Sequence, residues 1–147
     1  MSYDLMVFIP EAAPQTLAAF QAWYHAQTEW TEGHTYDDPA ITAPALRAWL
    51  LEMRQTFPDL NGDEATGDND YETDYSIGRV VIYAAFSWSL ATEALETALR
   101  LAQKHQVGLF DPSFEANTIL LPADGTMHPL PAVPPPQAQK KPWWKVW

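Results

Sequence analysis

Residues 79–86 read RVVIYAAF, and this stretch decides the fold class. After its first residue it is apolar throughout, and β-branched and aromatic side chains dominate it. Such a run is typical of a strand in the interior of a sheet. Weaker strand patterns occur at YDLMVFI (3–9), YSI (75–77), VGLF (107–110) and TILL (118–121). The sequence therefore predicts a sheet built around residues 79–86.

Three segments between these strands show helical periodicity, at about 15–30, 43–57 and 89–105. The apolar residues of the second segment follow the i, i+3, i+4, i+7 spacing of a single helix face. They are Leu46, Trp49, Leu50, Met53 and Phe57. Trp49 and Trp88 lie in apolar patterns and are predicted to be buried in the core. Core packing is also the prediction for Trp23 and Trp30, and a binding contact at the rim of the first helix is the alternative for these two.

The order of these elements is strand, helix, helix, strand, strand, helix, strand, with a possible last strand. This order is close to the split β-α-β arrangement of ferredoxin-like α+β folds, with one extra helix in the first crossover. We therefore predict an α+β domain over residues 1–121. Its sheet would be antiparallel or mixed, and its helices would cover one face of the sheet.

From Pro122 onward the composition changes. Seven of the 13 prolines lie in residues 122–147, so this segment is predicted to be an extended, proline-rich C-terminal tail. It ends in KKPWWKVW, which holds three lysines and three tryptophans. Two interpretations stay open: a strap that docks on the acidic half of the same chain, or a peptide that binds a partner.

The net charge of −11 is unevenly distributed. Residues 1–78 contain 14 acidic and two basic residues, whereas residues 79–147 contain five acidic and six basic residues. Because phosphates would be repelled by the acidic body, direct binding to nucleic acid is disfavoured. Since the sequence shows neither an export signal nor a long apolar run, we expect a cytoplasmic protein that does not insert in a membrane.

Two stretches without lysine or arginine carry much of the acidic excess, at residues 29–38 and 59–74. In an extended segment, residues 68, 70, 72 and 74 would all lie on one side, opposite Tyr71, Thr73 and Tyr75. Such a row of like charges would be relieved by a basic partner, although a merely solvated face is the alternative. The predicted partner-binding residues are Glu29, Glu32, Asp37, Asp38, Asp63, Glu64, Asp68, Asp70, Tyr71, Glu72 and Asp74.

Metal and cofactor sites find no support in the sequence. The absence of cysteine excludes thiolate ligands and thiolate nucleophiles. A calcium loop counted from Asp68 would need glycine at its sixth position and glutamate at its twelfth, but Thr73 and Arg79 stand there. The four histidines show no zinc-binding spacing. We therefore predict no cofactor and no metal.

Catalytic motifs are equally scarce, since the chain contains no nucleophile elbow, phosphate-binding loop or dinucleotide fingerprint. We therefore predict a protein that is not an enzyme. One alternative from the enzyme class is a small hydrolase in which His34 works with Asp37 or Asp38. In that case a deep pocket should hold these side chains.

The segments SYDLMVF, TDYSIG, VIYAAFSWS and VGLFDPS resemble a group of small acidic bacterial proteins of the toxin-immunity type. The resemblance covers about residues 2–112 and implies a protein that neutralises a secreted toxin by binding it. It assigns no functional residue. Together with the charge distribution it predicts an inhibitor that covers a basic surface of a toxin domain. The alternative in the binding class is a nucleic-acid mimic that blocks a DNA-binding protein.

Overall fold

The computed structural model describes residues 2–62, 65–113 and 118–130, and the strands in these ranges form one antiparallel sheet. The strands are β1 (Ser2–Phe8), β2 (Asp74–Ile77), β3 (Val81–Ser87), β4 (Gly108–Asp111), β5 (Thr118–Ala123) and β6 (Thr126–Pro129). The helices are α1 (Leu17–Gln27), α2 (Pro44–Thr56) and α3 (Ala91–His105). Short 3-10 helices cover Pro10–Ala12, Pro39–Ile41 and Trp88–Leu90. The α+β class predicted from the sequence is thus confirmed.

The sheet order is β2-β3-β1-β4-β5-β6. Because β3 is antiparallel to both β1 and β2, the strands β1 and β2 are parallel to each other and enclose β3. By the same reasoning β3 and β4 are parallel and enclose β1, and α3 connects them. These two interleaved split β-α-β units are the ferredoxin-like arrangement, which the β5–β6 hairpin extends.

Helices α2 and α3 cover one face of the sheet. Trp49 and Leu50 of α2 and Leu101 of α3 pack there with alternate residues of the strands, among them Leu5 and Ile82. The apolar stripe predicted for residues 43–57 is fully buried in this core. Trp49 also ties the two helices together, because its indole Nε1 donates a hydrogen bond to the Ala98 carbonyl at 3.1 Å.

Helix α1 lies on the opposite face, so the prediction that the helices cover only one face is wrong. Met6, Phe8 and Phe110 point to this second face, and Phe20 of α1 packs on them. The physical reason is that β1 and β4 are apolar on both sides, and a sheet with two apolar faces needs cover on both. The extra helix of the first crossover supplies that cover.

The sheet also continues past residue 121, where the composition predicted the start of the tail. Residues 122–129 complete β5 and form β6, with Asp124 (φ 54°) and Gly125 (φ 79°) at the turn between them. Positive φ at both central residues is what a two-residue hairpin turn requires, and Asp-Gly is a preferred pair. The Lys/Trp segment lies outside the described residues.

Trp88 departs from its predicted place in the core, since its side chain is 46% exposed. It follows β3 directly and begins a short 3-10 helix, where its ring packs against Tyr3 in a tilted arrangement, 5.3 Å between ring centroids. Within the described ranges, no helix combines the length and the apolar character needed to cross a membrane.

Candidate functional site

Both acidic stretches lie along the edge strand β2. At one end of the strand, the Ile77 amide donates to the Tyr36 carbonyl at 2.8 Å, which holds the first stretch in place. At the other end, the Leu60 amide donates to the Thr73 carbonyl at 2.8 Å, which holds the second. Because β2 has only four residues, the fold brings two stretches that are distant in sequence to one edge of the sheet.

The carboxylates of the first stretch have different surroundings. Glu29 and Asp37 are exposed to solvent. Asp38 is exposed too, but its Oδ1 accepts a hydrogen bond from the Ala40 amide at 2.9 Å and so caps a short helix. Glu32 is half-buried, and its Oε1 accepts from the Arg79 amide at 3.2 Å. Of the four predicted residues, Glu29 and Asp37 therefore remain most available to a partner.

His34 pairs with Glu32 and not with an aspartate. Its Nε2 lies 2.6 Å from Glu32 Oε1 and its Nδ1 lies 2.6 Å from the Thr35 carbonyl. The hydrogen bond to the Thr35 carbonyl and then the bond to Glu32 raise the pKa of His34. With both ring nitrogens engaged by acceptors, the imidazole has no position left for a substrate. This arrangement does not favour the hydrolase alternative with Asp37 or Asp38.

The protonated form of His34 should stabilise the fold, because its pKa is higher in the folded state. This contribution is fully present below the unfolded pKa of about 6.5 and is lost as the pH rises through the folded value. We therefore expect His34→Gln to destabilise the protein more at pH 5.5 than at pH 8.5, by urea unfolding. His25→Gln, on the exposed side of α1, is the control. Equal losses at the two pH values would contradict the assignment.

The second stretch contains both exposed and structural carboxylates. Asp68, Asp70 and Asp74 are exposed. Glu72 instead closes its own loop, because its two carboxylate oxygens accept from the Thr66 amide at 2.7 Å and the Gly67 amide at 2.8 Å. The predicted residues Asp63 and Glu64 lie outside the described residues.

The predicted row of carboxylates forms only in part. Residues 68–71 do not belong to a strand. Buried and more exposed side chains therefore alternate only from Thr73 through Ile77. Tyr71 does point away from the carboxylates, and its hydroxyl donates to Glu93 Oε1 on α3 at 2.7 Å. Side chains of the loop form hydrogen bonds with nearby backbone amides, and these local bonds stabilise a turn where the alternating sequence predicted an extended segment.

A cleft opens where α1 leaves the second face of the sheet uncovered. Asp74 of β2 and Asp4 of β1 each lie opposite Ala85 of β3, so the three residues form one row across the sheet. The two carboxylates flank this alanine, whose small side chain forms the floor. The cavity has a volume of about 400 Å³, and its walls include Tyr24, Trp30 and Tyr83.

Asp4 accepts hydrogen bonds from two hydroxyl groups in this cleft. Ser2 Oγ donates to Asp4 Oδ1 at 2.6 Å, and Tyr83 Oη donates to Asp4 Oδ2 at 2.5 Å. Burial, followed by the hydrogen bond to Asp4, raises the pKa of Tyr83, so its hydroxyl stays a donor at neutral pH. Neither donor is charged, and the negative charge of Asp4 is therefore oriented but not compensated.

The aromatic wall depends on an unusual backbone conformation. Trp30 has φ 55°, in the left-handed region that bulky residues rarely adopt. This conformation follows the end of α1 and turns the indole back onto the sheet. Its ring lies 5.0 Å from Tyr36 and 6.2 Å from Tyr83 between centroids, both edge-on. These contacts hold the strained residue in place, and strain of this kind is often found at binding sites.

A second cleft of about 430 Å³ continues from the first across Asp74 and Ala85. Glu72 and Leu60 line it, and the Leu60 side chain is 42% exposed. An exposed aliphatic side chain beside carboxylates is typical of a protein-binding surface, where an apolar contact is surrounded by polar groups.

The two carboxylates of the first cleft, Asp4 and Asp74, have no cationic partner among the described residues. Lysine, arginine and histidine side chains in the described ranges pair with Glu32, Glu52 and Asp59 only. In these ranges, none of them forms an ion pair with Asp4 or Asp74. Among the same residues, no group of three His, Asp or Glu side chains converges in a way that would hold a metal ion.

Sequence reasoning missed Asp4, Tyr83 and Ala85 as site residues. All three belong to strand patterns that were interpreted only as core. The available signal was Asp4 itself, the one charged residue within the apolar run YDLMVFI. A charged residue in a central strand is rare enough to mark an uncovered position.

Comparison of the chain with protein-family models, with curated proteins and with solved structures finds no match. The resemblance to immunity-type proteins therefore stays a prediction, and the function has to be inferred from the cleft and the carboxylates along β2.

Proposed function

We propose that this protein binds a basic protein surface through the carboxylates along β2, as an immunity-type inhibitor of a secreted bacterial toxin. The observation that carries the proposal is the placement of both acidic stretches at the two ends of one edge strand. Glu32 and Asp59 have a cationic partner there, whereas no ion pair among the described residues involves Glu29, Asp37, Asp38, Asp68, Asp70 or Asp74. Like charges held together in this way cost stability. A basic partner would relieve that repulsion on binding.

The surroundings of these carboxylates support binding more than chemistry. Asp68, Asp70 and Asp74 reach solvent, where a partner can approach them. The nearby Leu60 offers an apolar contact. A complementary field of this kind acts mainly on the rate of association, which it can raise by about 10–10³-fold. An inhibitor that must capture a toxin quickly benefits from that acceleration.

The test neutralises three exposed carboxylates of the second stretch. One of them, Asp74, accepts a hydrogen bond from the Asn61 side-chain amide at 3.2 Å, and asparagine at position 74 keeps an acceptor oxygen for that bond. We expect Asp68→Asn, Asp70→Asn and Asp74→Asn together to slow association with the partner by at least about 10-fold at low salt. Glu72 stays unchanged, because its bonds to Thr66 and Gly67 hold the loop. The partner is first isolated from a lysate of the source cells with the tagged full chain and then purified, and association rates are measured over a series of salt concentrations.

The matched control removes three exposed carboxylates outside β2 and outside both acidic stretches, with Glu11→Gln, Glu96→Gln and Asp124→Asn. The same loss of net charge there should leave most of the association rate intact. The partner should be toxic on expression, and co-expression of the chain should restore growth. Equal effects of the two triple variants, or binding that does not change with salt, would overturn the electrostatic mechanism. Competition by duplex DNA would instead indicate a nucleic-acid mimic.

A further inference from the structure

We propose that the cleft between Asp4 and Asp74 is the docking site of the chain's own C-terminal segment, residues 140–147. The proposal does not rest on a toxin partner, but the two proposals share Asp74, so the docked segment would cover part of the surface proposed to meet that partner. This segment would cover the part of the sheet that α1 leaves uncovered. Three features support it: the charge of the segment, the lining of the cleft, and the length of the chain between Leu130 and the segment.

The charge of the C-terminal segment is complementary to that of the cleft. Residues 1–130 contain all 19 acidic residues but only five of the eight basic ones, a net charge of −14. The other three basic residues are Lys140, Lys141 and Lys145, all in the last eight positions of the chain. The cleft offers two carboxylates without a cationic partner among the described residues, and Asp4 is already oriented by Ser2 and Tyr83.

Shape and chemistry of the walls agree with this occupant. A volume of about 400 Å³ is near the lower end of the range of ligand pockets, about 300–1,000 Å³, and suits a few side chains but not a folded element. Tyr24, Trp30 and Tyr83 present aromatic rings to the cleft. Such rings attract a lysine ammonium group through its charge and an indole through stacking. The segment KKPWWKVW supplies both kinds of side chain.

The end of the described chain lies on the same face of the sheet as the cleft. The described chain ends at Leu130, whose amide donates to the Ile119 carbonyl at 2.8 Å and whose side chain packs on the same face as α1. Ile119 lies in one cross-strand row with Phe110, Met6, Tyr83 and Ser76.

The row of Asp4 and Asp74 lies two residues further along the strands. From β6 to the cleft floor on β3 there are four strand spacings, about 19 Å, with an offset of about 7 Å along the strand. Residues 131–139 separate Leu130 from Lys140. A linker of nine residues can bridge about 28 Å at the polyproline rise of about 3.1 Å per residue. The length of the chain is therefore sufficient for residues 140–147 to reach the cleft.

The experiment uses the full chain with one nitroxide label. Because the chain has no cysteine, Gln139→Cys creates a single labelling site next to the lysines. We expect the label to broaden the amide NMR signals of Ser76 and Ala85 much more than those of Arg100 on α3. Adding Asp4→Asn and Asp74→Asn should remove this difference, as should high salt, which screens the charges.

The control pair Glu96→Gln and Asp124→Asn removes the same net charge elsewhere and should leave the broadening at Ser76 and Ala85 unchanged. Broadening that persists after Asp4→Asn and Asp74→Asn would overturn the proposal, as would signals that are equally affected over the whole surface. Broadening that grows with protein concentration would show the tail of a second copy in the cleft and would overturn the intramolecular contact.

Discussion

A Trp49→Ala variant is expected to lose about 3–5 kcal/mol of unfolding free energy, which is the usual cost of deleting a large buried aromatic side chain. Trp49 of α2 is completely buried in the core that α2 and α3 form with the sheet. The ring of Tyr75 lies edge-on to it, 6.5 Å away between centroids. The variant would leave a cavity and would also remove the hydrogen bond to the Ala98 carbonyl. Urea unfolding followed by far-UV circular dichroism measures the loss.

Two companion variants separate the causes. Trp49→Phe keeps most of the apolar volume and removes the indole hydrogen bond, so we expect an intermediate loss. Trp88→Ala is the matched control, because Trp88 is 46% exposed and packs mainly against Tyr3. It should cost clearly less than Trp49→Ala, because about half of Trp88 is already in solvent and the aromatic pair adds only about 0.5–1.5 kcal/mol to the area it buries. If Trp88→Ala cost as much as Trp49→Ala, the placement of these two residues would be wrong.

A Gly108→Ala variant is expected to destabilise the protein by about 1–3 kcal/mol, the usual cost of overpacking a core. A Cβ atom at position 108 would lie 2.3 Å from Cζ of Phe8, its partner across β1 and β4. The Phe8 ring cannot move away easily, because Phe20 and Trp23 of α1 pack against it at 5.1 Å and 5.9 Å. Thermal and urea unfolding measure the loss.

The double variant Gly108→Ala with Phe8→Leu tests this explanation. Leucine lacks the ring atoms that meet the new methyl group, so the two losses together should be smaller than their sum. Additive losses would contradict a direct clash. Gly108→Ala should also disturb the Asp4 cleft, because pressure on Phe8 is transmitted to α1, whose Tyr24 forms part of the cleft wall.

The sheet and two of its helices follow directly from patterns in the sequence. The continuous apolar run at 79–86 became β3, and the stripe at residues 43–57 became the buried face of α2. The position of α1 was not predicted, although the continuous apolar runs of β1 and β3 are typical of strands covered on both faces. Which helix covers which face is decided by tertiary contacts and not by the strand pattern. The β5–β6 hairpin was missed because its Asp-Gly turn lies in a segment dominated by proline.

The candidate site was predicted only in part. Net charge is a property of the sequence, so the two acidic stretches can be recognised from the amino acids alone. Which of their carboxylates are available depends on local hydrogen bonds, and these bonds engage Glu32, Asp38 and Glu72. The amino acids of a loop do not reveal which of several acceptors a backbone amide will choose.

By itself the sequence determined the α+β class, the central strand, the buried stripe of α2 and the concentration of negative charge before residue 79. These features depend on composition and on local periodicity, which neighbouring residues establish. Only the tertiary structure decided that Asp4 and Asp74, 70 positions apart, flank Ala85 in one row of the sheet. Strand pairing arises from contacts between distant segments, and the period of a single strand carries no information about which strand becomes its neighbour.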